Sequence, residues 1–154
     1  MKLPSQRLPL NKYQAPSQAF PYTQDHVCCR QPMAHQSSNP GSSMNDKVLV
    51  IIGTAERAKA QAGAMYAVNA LKHKWLAEVK LYFFGPAEQL LLDDEDLQVL
   101  LHDYQELKGE PVACRFLAER DGQADGLKEL GVAVEYVGPL ISGLIRDGYV
   151  PMVW

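Results

Sequence analysis

Cys114 is the residue best suited to covalent chemistry in residues 44–154, because no other cysteine occurs there. It follows the apolar segment 111–113 and precedes a helical pattern, so we expect it where a strand ends and a helix begins. A helix N-terminus stabilises negative charge and therefore favours a reactive thiolate. Nearby cations would favour the thiolate further if they face it: Arg57, Lys59, Arg115 and Arg120. The same spacing also fits a buried structural cysteine that does no chemistry.

Other catalytic motifs are missing from residues 44–154. No Walker A loop, GxGxxG loop, GxSxG elbow, HExxH pair or CxxC pair occurs there. Ser142 is the only serine in this range, so a serine triad would have to be built on it. His73 and His102 fall in helical segments beside charged residues, where a surface position is the simpler interpretation. We therefore predict no metal site and no cofactor.

The amino-acid composition changes near residue 43, and the change excludes several classes of protein. Residues 1–43 hold four basic residues against one acid, a balance of +3, whereas residues 44–154 hold 11 against 17, a balance of −6. An acidic domain argues against nucleic-acid binding, which needs a basic face. No apolar run approaches the roughly 18 residues that span a membrane. Three cysteines are too few, and odd in number, for a disulfide scaffold.

Residues 1–43 are predicted to form a disordered tail rich in proline, glutamine and serine. Six of the ten prolines fall there, and they remove backbone donors and interrupt helices. The adjacent pair Cys28-Cys29 forms no CxxC motif, and no apolar stretch follows the basic start as in a secretory signal. Met44 to Lys47, ahead of an apolar strand, resembles a natural protein start. We therefore hypothesise that residues 1–43 are an upstream in-frame extension and that residues 44–154 are the working domain.

Strands and helices alternate along residues 44–154. The segments that predict strands are 48–52, 79–84, 111–114, 132–137 and 149–154. The first is a continuous apolar run, which is typical of a strand buried on both faces of a parallel sheet. Thr54 is expected to cap the first helix, which would bury one face: Ala60, Ala64, Val68, Leu71 and Trp75. The alternation predicts an α/β fold, a three-layer α/β/α sandwich with a mainly parallel five-stranded sheet.

Residues 86–107, the last strand and the loops that follow the strands each carry a further prediction. Residues 86–107 are helical, and the acidic run 93–96 within them is better explained as a charged helix start than as a cation site. Pro151 predicts a strand that lies at an edge of the sheet or is bulged, and we expect the apolar ending 149–154 to be covered by helices or by another subunit. Ligands of such sheets bind beyond the carboxyl ends of the strands. Gly53, Thr54 and Arg115 are therefore the candidate substrate-binding residues beside Cys114.

Residues 47–154 resemble the DsrE/DsrF-like family of small sulfur-relay proteins. The segments that carry the resemblance are, in order, KVLVII, AKAQAGAMYAVNAL, EVKLYFFGPAEQLLL, PVAC, LKELGVAVEYVG and GYVPMVW. The resemblance implies a three-layer α/β/α fold, assembly into trimers or hexamers, and a persulfide sulfur on a cysteine after the third strand. Cys114 falls on that position. Several family members have a second cysteine shortly afterwards, but Arg115 to Ala118 supply none, which argues against dithiol chemistry here.

Two functions from different classes follow. The resemblance implies a cytoplasmic carrier that takes sulfur from a donor protein as a persulfide on Cys114 and passes it to an acceptor protein, with no cofactor. The alternative is a non-catalytic oligomeric scaffold or small-ligand-binding module in which Cys114 is inert. A nucleotide-binding function ranks third, because the phosphate loop is missing and a fold alone does not set function.

Overall fold

Residues 46–154 are described by the structure, a computed structural model. The expected tail and the Cys28-Cys29 pair lie outside the described residues. Five strands and six helices alternate in the order β1 (Lys47–Ile52), α1 (Arg57–Lys72), β2 (Glu78–Phe83), α2 (Pro86–Asp93), α3 (Glu95–Glu106), β3 (Val112–Cys114), α4 (Arg115–Arg120), α5 (Ala124–Glu129), β4 (Ala133–Glu135), α6 (Val137–Arg146) and β5 (Val150–Val153).

The strands form one sheet in the order β4-β3-β2-β1-β5, and every neighbouring pair is parallel. The prediction of an α/β fold with a mainly parallel five-stranded sheet is therefore confirmed. Parallel strands run in one direction, so their carboxyl ends meet along a single edge of the sheet. That edge carries the residues that follow β1, β2, β3 and β4.

Helices cover the two faces of the sheet unequally. One face packs the side chains of Val50, Leu81 and Phe83 against buried residues of α1, α2, α3 and α5. The other face holds a smaller cluster of Leu49, Tyr82, Cys114, Val137 and Tyr149, which α6 covers with partly buried Ile141 and Leu144. The second face therefore has a thin outer layer. None of the helices in residues 46–154 is long and apolar enough to cross a membrane.

The first helix differs from the sequence-based expectation at both ends. Thr54 does not cap it, because the helix begins at Arg57 and the Thr54 hydroxyl accepts a hydrogen bond from the Glu56 amide at 3.0 Å instead. The alanine-rich face is buried as expected, since Ala60 and Ala64 lie against the sheet. The helix ends at Lys72, before Trp75, whose side chain is 58% exposed. The prediction that Trp75 joins the buried face was wrong.

The helical region 86–107 is two helices divided at Asp94. The Asp94 side chain caps α3 by accepting a hydrogen bond from the Leu97 amide at 2.8 Å. It is nearly buried and also lies 2.5 Å from Nε of Arg57 on α1. The interpretation of the acidic run as a charged helix start is confirmed.

The last strand is an edge strand, which is the first of the two positions that Pro151 allowed. Trp154, which follows it, donates its amide to Ile51 and accepts a hydrogen bond from the Gly53 amide. Its ring lies so close to Gly63 of α1 that a Cβ there would come within 2.7 Å of the indole Cγ. The end of the strand is thus partly covered by α1, although Val153 on the other face remains largely exposed.

Candidate functional site

Cys114 lies where the sequence places it, as the last residue of β3 and the N-cap of α4. Its backbone is extended, which turns the chain from the strand into the helix. The residue is only 6% exposed and belongs to the cluster with Tyr82 and Val137 beneath α6. The thiol is therefore at the carboxyl edge of the sheet but largely shielded from solvent.

Glu88 is a residue of this site that sequence reasoning missed. It lies on α2 and is fully buried, and its Oε1 accepts a hydrogen bond from the Cys114 amide at 3.0 Å. Its second oxygen, Oε2, is buried with no hydrogen-bond partner among the described residues. Most buried carboxyl oxygens are hydrogen-bonded, so an unpaired one marks a costly arrangement. A carboxyl group thus contacts the backbone of the candidate nucleophile from the opposite face of the sheet.

The turn at Gly85 places Glu88 of α2 against the end of β3. Gly85 follows β2 and has φ +65° and ψ −130°, a conformation that side chains disfavour strongly and glycine tolerates. Pro86 then begins the helix, where its missing N–H donor costs nothing. The tight turn brings the first turn of α2 against the end of β3, and Glu88 lies on that turn.

Burial raises the pKa of Glu88 from an ordinary value of 4.5 to about 7. Hydrogen bonding from the backbone of Cys114 and Gly85 acts in the opposite direction, as does the positive charge of Arg120. The negative charge of Asp121 adds to the increase. Both the neutral and the ionised form of Glu88 are therefore populated near neutral pH.

Three of the four cations expected around the thiol are bound to acidic side chains. Arg115 lies 2.7 Å from Glu119, and Arg120 makes two contacts of 2.7 Å with Asp121. Arg57 is held by the acids at the start of α3. These ion pairs neutralise the charge locally. The expectation of a strongly positive surrounding for Cys114 therefore gains no support from this geometry.

Gly53 and Thr54 lie at the same edge as Cys114 but not beside it. Strand β2 separates β1 from β3, so two strand spacings, about 10 Å, divide Gly53 from Cys114. The Gly53 amide and the Thr54 hydroxyl are engaged in the local hydrogen bonds described above. Arg115, by contrast, adjoins Cys114 directly. The substrate-binding roles of these three residues stay predictions.

An exposed apolar surface borders the site. Phe84 follows β2, Phe116 lies in the first turn of α4, Tyr136 follows β4, and Leu140 lies on α6; each is 41–63% exposed. The Arg115 guanidinium lies 5.2 Å from the centre of the Tyr136 ring. We call these four residues the apolar rim. Exposed apolar side chains are typical of protein contact surfaces where they form a continuous patch.

Two other places in residues 46–154 are weaker candidates for a ligand site than the surroundings of Cys114. His102, Asp103 and Glu106 bring their ligand atoms within 4.8 Å of one another on α3, but all three are exposed, and such surface groups are common without a metal ion. A depression of about 140 Å³ lies at the opposite, amino end of the sheet near Glu78 and Lys108. Its volume is below the roughly 300–1,000 Å³ typical of small-molecule pockets.

Comparison with known proteins supports the fold. No family model and no curated protein matches the chain. Among solved structures, a conserved protein of unknown function, BT1422 from Bacteroides thetaiotaomicron, has a similar fold with a TM-score of 0.64 and 23% sequence identity. The match covers 73% of this chain and 100% of that chain. The chain therefore shares an α/β fold with a protein whose own function is not known.

Proposed function

We propose that this protein is a DsrE-like sulfur-relay protein that carries sulfur as a persulfide on Cys114 and passes it to an acceptor protein. The observation that carries the proposal is the position of Cys114 at the carboxyl end of β3 in an all-parallel sheet. Ligands of open α/β sheets bind at that edge. The persulfide chemistry is inferred from the resemblance of residues 47–154 to the family.

The transfer consists of two exchanges at sulfur. The Cys114 thiolate attacks the outer sulfur of a donor persulfide, the donor's S–S bond breaks, and the donor cysteine leaves as a thiolate. Cys114 then holds the sulfur as Cys–S–SH. An acceptor thiolate attacks this outer sulfur, and Cys114 is released as a thiolate. No external oxidant or reductant is consumed, and the proposal involves no metal or organic cofactor.

Access to the thiol requires the outer layer of the second face to move. Val137 is the only fully buried residue of α6, and Leu140 and Ile145 of the same helix are exposed. A helix that buries so little apolar area opposes local displacement weakly. We propose that α6 shifts when a donor or acceptor protein docks at the apolar rim.

We propose that copies of the chain also associate through exposed apolar surface, as trimers or hexamers, in the cytoplasm. Val153 on the edge strand β5 is 71% exposed, and apolar surface left uncovered in this way is available for a subunit contact. A reducing compartment suits a protein that works through a free thiol. Light scattering should give the mass of an oligomer, and Val153→Glu should lower it; a monomeric wild-type protein would contradict the association.

The persulfide test compares two variants of the full chain. Both carry Cys28→Ser and Cys29→Ser; one keeps Cys114 and the other also carries Cys114→Ser. Each is incubated with a cysteine persulfide donor and measured by intact mass. We expect one added sulfur atom on the protein that keeps Cys114 and none on Cys114→Ser. Equal addition to both, or none to either, refutes the carrier function.

The second candidate is an oligomeric scaffold or small-ligand-binding module with an inert cysteine. The observation in its favour is that Cys114 is only 6% exposed while the neighbouring arginines are paired with acids. Alkylation of Cys114 as a function of pH separates the two. A carrier needs reaction at neutral pH, whereas a masked or slow thiol, with no reaction until well above the ordinary value of about 8.5, favours the scaffold.

A further inference from the structure

Arg115 and Tyr136 connect the two segments that flank Cys114. Arg115 begins α4 directly after Cys114, and Tyr136 lies between β4 and α6. The Arg115 guanidinium lies over the Tyr136 ring, 5.2 Å from the ring centre, and such an arrangement is attractive. Its Nε is also 2.7 Å from Oε1 of Glu119, one turn further along α4, which fixes the direction of the side chain. The contact therefore ties the start of α6 to the start of α4.

The turn that this contact ties down is the part of α6 that covers Cys114. Glu135 pairs with Cys114 across the sheet, and α6 begins two residues later at Val137. Val137 is 3% exposed and lies in the same buried cluster as Cys114 and Tyr82. A reagent or a partner protein that reaches Cys114 from this face of the sheet must first displace the turn at Val137.

The two ends of α6 are held unequally. Behind its C-terminal end, Tyr149 is buried and donates its hydroxyl to Glu78 of β2, which anchors that end to the sheet. At the N-terminal end, a Cβ built on Gly138 would meet no atom of the described residues within 4 Å, so there is open space around this position. Burial of Val137 and the contact at Tyr136 hold this end. We therefore expect the first turn of α6 to open before the rest of the helix.

We propose that Arg115 and Tyr136 act as positioning residues: their contact holds the first turn of α6 over Cys114, and a docking partner that breaks the contact exposes the thiol. An exposed cation–π contact favours the closed form by a factor of about two to five. Tyr136 is 53% exposed and belongs to the apolar rim, so an apolar side chain of the partner can take the place of the guanidinium on the ring. Docking at the rim and opening of α6 are then one event.

The inference rests on the proposed function for the partner that opens the contact. Access to Cys114 is a separate property, because it can be measured on the thiol whether or not the thiol carries sulfur. In a carrier, the closed form shields a persulfide on Cys114 from small thiols, which would otherwise remove the outer sulfur. Release of sulfur then depends on the docked acceptor.

The test is the rate at which iodoacetamide alkylates Cys114 at one fixed pH, in the full chain with Cys28→Ser and Cys29→Ser. Tyr136→Leu removes the ring and Arg115→Met removes the charge, and we expect each to raise the rate about two- to fivefold. The double variant should react no faster than the single variants, because both changes remove the same contact. Tyr136→Phe keeps the ring and should stay close to the parent rate.

A control variant and a second measurement separate this role from others. Arg120→Met removes a cation of the same helix that pairs with Asp121 instead, and it should leave the rate unchanged. Loss of a cation near a thiol by itself slows alkylation, because cations favour the thiolate, so a faster Arg115→Met protein indicates opening of α6. Hydrogen exchange in Tyr136→Leu should become faster in residues 137–146 and stay unchanged in β1.

An unchanged alkylation rate in either Tyr136→Leu or Arg115→Met overturns the inference. Faster hydrogen exchange that extends equally to β1 also overturns it, since the whole fold would then be weakened. Faster alkylation of both variants in a protein that takes up no sulfur supports the role of the contact and rejects the carrier function instead. Sulfur uptake on Cys114 together with unchanged alkylation rates supports the carrier function and rejects the role of the contact.

Discussion

The buried carboxyl of Glu88 should make the stability of the protein fall as pH rises, and Glu88→Gln should abolish that fall. The pKa of Glu88 in the folded protein is about 7, above its ordinary 4.5. Below about pH 4.5 the group is neutral in the folded and unfolded states alike. As pH rises through 7, the folded protein must hold a buried charge, so the stability contributed by the neutral carboxyl is lost.

The size of the effect follows from the raised pKa. The difference between 4.5 and about 7 is about 2.5 pH units, and one unit corresponds to about 1.4 kcal/mol, which sets a ceiling of about 3.5 kcal/mol. Relaxation at the edge of the sheet lowers the cost of ionisation. We therefore expect Glu88→Gln to gain about 1–3 kcal/mol relative to the wild type between about pH 5.5 and about pH 8.

Urea unfolding of both proteins at several pH values measures this difference. Glutamine also buries extra amide hydrogens, but the cost of this burial does not depend on pH. It therefore cancels when the change of the unfolding free energy with pH is compared between the two proteins. Glu129→Gln, which alters an exposed carboxyl, should follow the wild type throughout. Parallel stability curves for the wild type and Glu88→Gln would refute the reasoning, because they would mean that Glu88 is ionised at no cost.

Two further predictions concern the packing of α1 and the cap of α3. Gly63→Ala should destabilise the fold by about 1–3 kcal/mol in urea unfolding, because its Cβ collides with the Trp154 ring, while Gly143→Ala, with open space around it, should stabilise by up to about 1 kcal/mol. Asp94→Ala should cost about 1–3 kcal/mol and Asp93→Ala under about 0.5 kcal/mol, as only Asp94 caps the helix from a buried position. If the two glycine variants, or the two aspartate variants, lost the same stability, these assignments would be contradicted.

The alternation of elements could be predicted because each element carries a local signal. Three such signals were read correctly: the apolar run of β1, the acids at the start of α3 and Pro151 in β5. Each signal depends only on residues that are close together in the sequence. Thr54 and Trp75 were misplaced at the ends of α1. Helix ends depend on a few competing hydrogen bonds, so a pattern of side chains locates them poorly.

The candidate site was predicted only in part. Cys114 could be placed because its strand and helix are both visible in the sequence. Glu88 could not, since its hydrogen bond joins residues 26 positions apart in the chain and a glutamate in a helix is ordinarily exposed. The ion pairs that occupy Arg115 and Arg120 were missed for a different reason. Their acidic partners, Glu119 and Asp121, are close in sequence and bind them locally, so the number of cations alone overstates the positive charge near Cys114.

The position of β5 has a consequence for how the chain folds. Val48 in β1 pairs with Val150 in β5, about a hundred residues later, whereas β1 and β2 are joined by a single helix. Pairings so distant in sequence form slowly, because a long loop must close first. Until they form, β1 is an uncovered apolar edge that can pair with another unfolded chain. Refolding should therefore become less efficient as protein concentration rises, with Trp154 burial among the last events.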